Sequence, residues 1–320
     1  MTRFERILLR WPPFAFLLRK SKSWVIPGFS GLPVYDVVNF FLKQINKVGL
    51  NERAAAISFN LIMALPAGIL FLFSLIPLFP KPDSFKKEIL SLFKDITPNS
   101  DTYHFIANIL NDLLDIQHVG IFSFGFFLLI FYSSNAMIGI IRTFDKSIQE
   151  HKVIFLHQRW RAIRLTFLLI ILILISALAL FPGEEQLGFV LKTVFHVKKD
   201  TRIFWWSGIR WVTILSLLFY GIAFIYKFAP SVKKRWALLS PGSILATALI
   251  LITTILFSYW VNNFASYNKI YGSIGTVLII MILVYINSLI LLIGFELNVS
   301  ITYLTKKAEK RQLQEEEEKK

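Results

Sequence analysis

Cysteine is absent from this 320-residue chain, which excludes disulfide bonds, thiolate metal sites and cysteine nucleophiles. The five histidines are scattered, and no pair has the HExxH spacing that places two metal ligands on one helix face. The chain also lacks a GxxxxGK(S/T) phosphate-binding loop and a serine nucleophile elbow. We therefore predict neither an ATP-driven pump nor a hydrolase, and we expect no cofactor and no metal ion.

Acidic residues are scarce as well: 20 Asp and Glu stand against 35 Lys and Arg, a formal net charge of +15. A charge of this size raises the hypothesis of a nucleic-acid partner. A ribonuclease, however, needs metal-binding carboxylates or a histidine pair, and the basic loops contain few acids for that purpose. We expect no enzyme activity and no nucleic-acid partner.

Long apolar runs, in contrast, are abundant. Hydrophobic residues make up 55% of the chain, whereas soluble domains contain about 45–50%. Six runs approach or exceed the roughly 20 residues that cross the hydrocarbon core of a bilayer. They cover about 55–79, 119–141, 165–181, 204–226, 239–261 and 274–300. The predicted fold is an all-α, polytopic membrane protein whose transmembrane domain, residues 54–302, contains six transmembrane helices.

The Lys and Arg residues outside the runs are distributed unevenly, and this predicts the orientation. Four segments hold 25 of them, and the three segments that alternate with these hold nine. The basic segments are 1–53, 142–164, 227–237 and 303–320. Because positive loops stay on the cytoplasmic side, the pattern predicts a multi-pass membrane protein with both termini in the cytoplasm.

Three segments lie outside the predicted spans. Residues 1–53 are basic and amphipathic, with a Pro- and Gly-rich joint at 27–33, and either lie in the headgroup region or pack on cytoplasmic loops. Residues 80–118 carry two apolar stripes at helical spacing, which predicts an external helical hairpin, a packing element or a lid. Residues 303–320 form a charged cytoplasmic tail that we expect to be disordered.

Polar residues recur at similar depth in several predicted spans. A carboxylate in a hydrocarbon span is costly unless it faces protein or water, so Glu296 is the first functional candidate, with Arg53 or another basic neighbour as its partner. Pro66 is expected to kink the first span. The candidate cavity and gate residues are Arg53, Asn60, Pro66, Asn135, Asn287, Glu296 and Asn298. Two alternatives remain: a polar cavity open to the cytoplasm, or amide and hydroxyl groups that only join helices.

Three stretches of the last hairpin carry a family resemblance: LSPGS at 239–243, FASYNKIYGSIG at 264–275 and LLIGFELN at 291–298. With these motifs, residues 40–302 resemble the YihY/BrkB family of bacterial inner-membrane proteins. The family-motif loop contains Asn263, Tyr267, Asn268, Tyr271 and Gly272. This loop is either a hydrogen-bonded re-entry between two spans or part of a ligand site.

The resemblance implies a six-helix membrane protein. Family members have carried labels as a serum-resistance or virulence factor and, by a mistaken assignment, as a tRNA-processing ribonuclease, and some relatives are linked to envelope lipid transport. Two hypotheses follow. The first is a transporter or flippase-like protein for an amphiphilic or anionic envelope compound, with membrane lipids as its surroundings. The second is a scaffold that transports nothing and binds envelope or division partners through its cytoplasmic basic loops and the external helical hairpin. The sequence leaves the oligomeric state open.

Overall fold

The computed structural model of the chain describes residues 20–47, 49–74, 119–148, 155–180, 199–232, 235–264 and 273–318, with a few positions between 87 and 108. Within these ranges the regular structure is helical, and an isolated bridge between Val25 and Pro33 is the only β-type pairing. The all-α prediction is therefore confirmed for the described residues. The predicted external hairpin falls almost entirely outside them.

Seven helices are named here, numbered in chain order within the described ranges. They are α1 (Val34–Lys47), α2 (Leu50–Ser74), α3 (Val119–Ile148), α4 (Phe155–Leu180), α5 (Lys199–Phe228), α6 (Pro241–Phe264) and α7 (Ser273–Glu318). Several extend beyond the apolar runs that predicted them, because the flanking Arg, Lys and Gln residues also favour helix. Helix α4, for example, begins ten residues before its apolar run.

Helices α2 to α7 form a closed ring in which each helix contacts the next and α7 returns to α2. Side chains from three of them fill the centre of the ring. The rings of Phe144 on α3 and Phe295 on α7 stack with centroids 3.6 Å apart and planes 6° apart. Tyr226 on α5 is fully buried beside them and donates its hydroxyl hydrogen to the carbonyl oxygen of Leu291, at 2.6 Å. Packed aromatic side chains therefore fill the centre of the helix bundle at this level.

Four helices are long and apolar enough to cross a membrane, judged by length and composition over the described residues. These helices are α3, α5, α6 and α7, with candidate spans inside Phe126–Ile148, Arg210–Phe228, Pro241–Val261 and Val277–Glu318. Helices α2 and α4 are not among these four. The prediction of a polytopic helical membrane protein is confirmed to this extent, and its count of six spans stays a prediction.

One end of the bundle collects basic side chains. Helices α2, α4 and α6 begin there, and α3 and α5 end there. We call it the basic end; Arg53, Arg161, Arg164 and Arg235 belong to it. The predicted joint before α1 is present, since Gly28 and Gly31 have φ values of 94° and 78°, in the region that favours glycine.

Helix α1 packs on α7 at this end. Val37 is fully buried against Leu297 and Ile301, and Phe40 stacks on Tyr303 with ring centroids 4.9 Å apart. This face of α1 therefore packs on a helix of the bundle, and the choice between the headgroup region and the cytoplasmic loops stays a prediction. The opposite face leaves Val38 and Leu42 exposed.

The charged tail differs from the prediction of disorder. Helix α7 continues without a break as far as Glu318, with mostly exposed side chains after Tyr303. The sequence prediction weighed only charge. Residues 306–318 consist mainly of Lys, Arg, Glu, Gln, Ala and Leu, which are the strongest helix formers, and they extend a helix already nucleated by packing.

Candidate functional site

Glu296 lies at the basic end and joins three helices. Its side chain on α7 is 0% exposed, and its Oε1 accepts a hydrogen bond from Ser147 Oγ at the end of α3. Ser147 Oγ in turn accepts a hydrogen bond from Arg53 Nη1 in the first turn of α2, at 2.7 Å. Arg53 Nη1 is also 3.8 Å from Glu296 Oε1 and its side chain is 19% exposed. We call these residues the Arg53–Ser147–Glu296 triad.

The aromatic stack positions this triad. Phe144 and Ser147 are three residues apart on α3, and Phe295 precedes Glu296 on α7, so the stacked rings fix both helices close to the carboxylate. Trp236 closes the other side, with its ring centroid 5.4 Å from that of Phe295 and its Nε1 donating to Thr302 Oγ1 at 2.9 Å. These aromatic contacts hold the backbone on both sides of the Glu296 carboxylate in place.

The second carboxylate oxygen of Glu296 is less well satisfied than the first. Oε2 is buried and has no hydrogen-bond partner of normal geometry among the described residues, although the amide of Gln44 on α1 faces the same carboxylate. A buried polar atom without a partner costs roughly 1–3 kcal/mol, and a charged one costs more. The site thus has a built-in acceptor that a donor from a ligand or from water could satisfy.

A cavity of about 360 Å³ lies beside the triad. Its lining includes Gln44 of α1, Ser147 of α3 and Trp236 after α5. Val299, Thr302 and Lys306 of α7 line it as well. This volume falls within the roughly 300–1,000 Å³ that small-molecule sites occupy. Helices α1, α3 and α7 and the segment after α5 thus all border this cavity at the basic end.

Asn298 was predicted in the same cavity, but it binds the start of α6. Its Oδ1 accepts a hydrogen bond from Gly242 N at 2.8 Å, and its Nδ2 donates to Ser240 Oγ at 2.9 Å. Ser240 and Ser243 cap the helix reciprocally, since each hydroxyl accepts from the backbone N–H of the other. Pro241 occupies the first helical position. This arrangement is a helix N-cap reinforced from α7, which is a structural role.

The remaining predicted residues do not converge on the triad. Asn60 donates to the Ala56 carbonyl of its own helix at 2.8 Å, and Asn135 accepts from Arg159 of α4 at 2.6 Å. Asn287 has a buried Oδ1 without a partner among the described residues. Pro66 is exposed inside α2, which continues through it to Ser74. Of the seven candidates, only Arg53 and Glu296 meet.

The family-motif loop lies outside the described residues. This applies to Tyr267, Asn268, Tyr271 and Gly272, while Asn263 is placed in the last turn of α6 with an undescribed side chain. The prediction that this loop is a re-entry or a ligand site therefore stays a prediction.

Sequence reasoning missed a second ion pair at the basic end. Asp145 Oδ2 on α3 lies 3.0 Å from Arg161 Nη2 on α4, and Asp145 Oδ1 accepts from Ser231 N at 2.9 Å. Arg161 Nη1 also donates to the Ala229 carbonyl at 2.9 Å. The pair joins α3, α4 and the end of α5. Its signal was available, because Asp145 is a single acid at the end of an apolar run and Arg161 precedes the next run.

Comparison with known protein families gives a match over most of the chain. The family model described as "Virulence factor BrkB" matches residues 41–320. The chain belongs to the BrkB family. The match covers the triad, the N-cap of α6 and all seven named helices except the first turns of α1.

Two curated relatives span most of the chain, and a third matches a shorter part of it. A protein named as ribonuclease-like, YfkH of Bacillus subtilis, is 27% identical over 81% of this chain and 94% of its own length. The UPF0761 membrane protein NTHI0384 of Haemophilus influenzae is 21% identical over 80% of this chain and 91% of its own length. PSHAa0171 of Pseudoalteromonas translucida, also a UPF0761 membrane protein, is 30% identical over 28% of this chain and 31% of its own. No solved structure gives a significant match.

Proposed function

We propose that this BrkB-family protein is a transporter or flippase-like protein for an amphiphilic or anionic, lipid-related compound of the cell envelope, and that the Arg53–Ser147–Glu296 triad is its gate on the basic side. One observation carries the proposal: a fully buried carboxylate joins three helices beside a cavity of about 360 Å³. Ionisable groups at such depth are expensive, and in membrane proteins they commonly mark transport pathways.

The proposed topology has six spans, with α2 and α4 crossing the membrane as α3, α5, α6 and α7 do. The closed ring supports this, because α2 lies between α7 and α3, and α4 lies between α3 and α5, so each contacts two of the four apolar helices. The basic loops at one end support an inner-membrane protein with both termini in the cytoplasm. The cavity then opens toward the cytoplasm.

The gate proposal explains why the triad is charged. A packed apolar contact would join α2, α3 and α7 at least as well, because ion pairs in a protein interior often do no better than hydrophobic groups of the same volume. A ligand anion can separate the pair by binding Arg53 in place of Glu296. Because the triad joins α2, α3 and α7, this exchange changes the contacts between all three helices at once. Pro66 supports movement of α2, since its missing N–H leaves one helical hydrogen bond unmade.

The protein is proposed to have no enzymatic activity and no nucleic-acid partner. The ribonuclease-like name is the name of one relative, YfkH. Among the described residues, no group of three His, Asp or Glu side chains lies close enough to hold a metal ion. The proposal is tested by adding structured RNA to the purified protein: no cleavage is expected with or without divalent cations, and cleavage that co-purifies with the protein would contradict it.

Transport is tested with purified protein in liposomes that contain fluorescently labelled phosphatidylglycerol, where dithionite bleaches only lipid in the outer leaflet. The wild type should expose more than half of the label, and Glu296→Gln should lose most of this activity while keeping its helicity. The matched control is Glu309→Gln, which removes an exposed carboxylate from the same helix. No activity above that of empty liposomes, or equal activity in all three proteins, would contradict the proposal.

A scaffold is the second candidate, and the exposed extension of α7 favours it. Beyond Tyr303 the helix carries a basic stretch followed by four glutamates, with mostly solvent-exposed side chains. A helix of this kind offers charged groups to a partner without any pathway through the membrane domain. Deleting residues 306–320 should leave flux unchanged if the protein transports, whereas a scaffold would lose its partners and show no flux in either form.

A further inference from the structure

We propose that a second site, separate from the triad, binds the phosphate headgroup of an anionic phospholipid. The site is a groove of about 650 Å³ between the start of α4 and the segment that follows α5. We call it the α4–α5 groove; its lining includes Trp160, Arg161, Arg164, Leu165, Phe228 and Arg235. The proposal stands independently of transport, because it concerns binding at a different place on the bundle.

The charge of the groove is the first argument. Arg161, Arg164 and Arg235 line it together with His157, and no carboxylate is among the lining residues that the structure describes. Arg161 is already paired with Asp145, so it forms part of the wall. Arg164 and Arg235 are both exposed and form no ion pair within the described part of the chain. Two guanidinium groups are thus available to a phosphate, which arginine binds through paired hydrogen bonds.

Aromatic rings hold these two guanidinium groups in place. Arg164 Cζ lies 5.8 Å from the ring centroid of Trp160, and Arg235 Cζ lies 5.3 Å from that of Phe228. Such cation–π contacts restrict the arginines while their N–H groups remain available. Because the side chains are ordered in advance, less conformational entropy is lost when a phosphate binds.

The position of the groove selects a lipid over a soluble phosphate. Phe228 ends the apolar part of α5, and Leu165 and Leu168 begin the apolar run of α4, so the groove straddles the limit of the apolar surface. Trp160 is 60% exposed at this level, as expected for a tryptophan in the interfacial belt. A headgroup between the arginines therefore has apolar surface directly next to it for its acyl chains. Basic pockets between helices at this depth bind anionic headgroups in general.

Ser231 adds a polar contact on the floor of the groove. Its backbone N–H is bound to Asp145, but its buried Oγ has no hydrogen-bond partner among the described residues. A phosphate oxygen or a glycerol hydroxyl at this point would satisfy it. Because Asp145 binds both Ser231 N and Arg161, it holds the floor of the groove in place and joins the helices around it.

The test measures lipid binding to the full-length protein by native mass spectrometry, with phosphatidylglycerol, cardiolipin and phosphatidylcholine as probes. We expect phosphatidylglycerol and cardiolipin to bind more tightly than phosphatidylcholine. The double variant Arg164→Gln/Arg235→Gln should weaken binding of the anionic lipids about 30-fold, at about five- to sixfold for each arginine near the surface. The control Lys43→Gln/Lys310→Gln removes the same charge from exposed positions elsewhere and should stay within twofold of the wild type.

Two further arms make the result decisive. Because both arginines are exposed, the Gln double variant should fold. A second double variant, Arg164→Lys/Arg235→Lys, keeps both positive charges and tests the proposal even if the Gln variant fails to fold. The Lys variant should retain part of the lipid binding. Inorganic phosphate at the lipid concentration should not displace phosphatidylglycerol. Equal binding by the wild type and the Gln variant, no preference for anionic lipid, or displacement by inorganic phosphate would each overturn the proposal.

Discussion

Gly294 of α7 faces Gly242 of α6 so closely that neither position has room for a side chain. A Cβ added at Gly294 would lie 2.6 Å from the Gly242 carbonyl oxygen and 2.5 Å from Tyr226 Oη, and one added at Gly242 would overlap the Gly294 carbonyl. The close approach brings Asn298 within reach of the α6 N-terminus and places Glu296 two residues beyond the contact. Small residues allow helix backbones to meet in this way in membrane proteins.

Gly294→Ala is predicted to destabilise the fold. The methyl group would collide with backbone and with Tyr226, so the helices must separate, and overpacking of this kind costs roughly 1–3 kcal/mol. The melting temperature in detergent, followed by circular dichroism, should fall. The control Gly221→Ala, on α5 with no atom within 4 Å of the added Cβ, should keep or raise it. Equal melting temperatures for the two variants would show that the crossing is looser than described.

Asn298→Ala is predicted to weaken the protein without acting on the triad. The substitution removes both hydrogen bonds to the α6 N-cap, for which the expected cost is about 0.5–2 kcal/mol. Asn39→Ala, an exposed asparagine on α1, serves as the reference and should change little. Limited proteolysis and melting temperature measure the effect. A stable Asn298→Ala protein with lost flux would instead restore Asn298 to the pathway.

Asp145→Asn is predicted to loosen the basic end. Asp145 accepts from Arg161, Ser231 N and Gln158, and neutralising it leaves Arg161 without its charge partner. Removing one member of a buried pair costs about 3–5 kcal/mol, and a smaller loss is expected here because both side chains are slightly exposed. The fraction of protein that stays monodisperse on heating should fall well below that of Asp36→Asn, an exposed aspartate of α1. A heating profile like that of Asp36→Asn would contradict this role.

Water is predicted to reach the cavity at Gln44 from the cytoplasmic side, and not to reach the packed contact between α1 and α7. The chain has no cysteine, so single cysteines can be introduced without a background. Gln44→Cys, which lines the cavity, should react with a membrane-impermeant maleimide from the cytoplasmic side, whereas Val37→Cys, fully buried on the same helix, should not. Labelling of Gln44→Cys only from the opposite side would reverse the proposed orientation. Equal labelling of both positions would mean that α1 does not pack on α7.

The sequence predicted the helices well, because long apolar runs and the helix period are local properties. It also singled out Glu296 and Arg53 correctly as a pair, since a lone carboxylate in an apolar run needs a cation. It could not place Ser147 between them, because a serine at a helix end has no distinguishing pattern. Asn135 and Asn298 were assigned to a cavity from depth alone. Their partners, Arg159 and the α6 N-terminus, follow from helix rotation, which a hydropathy pattern does not determine.

The central claim is that Arg53 and Glu296 act together as one gate. The most direct measurement is a double-mutant cycle on labelled phosphatidylglycerol flux in liposomes, with Arg53→Gln, Glu296→Gln and both together. Contacting residues typically couple by roughly 0.5–3 kcal/mol, so each single variant should lose about tenfold in rate and the double variant should be no worse than the more affected single. Wild-type flux in all three variants, or losses that simply multiply, would contradict the claim.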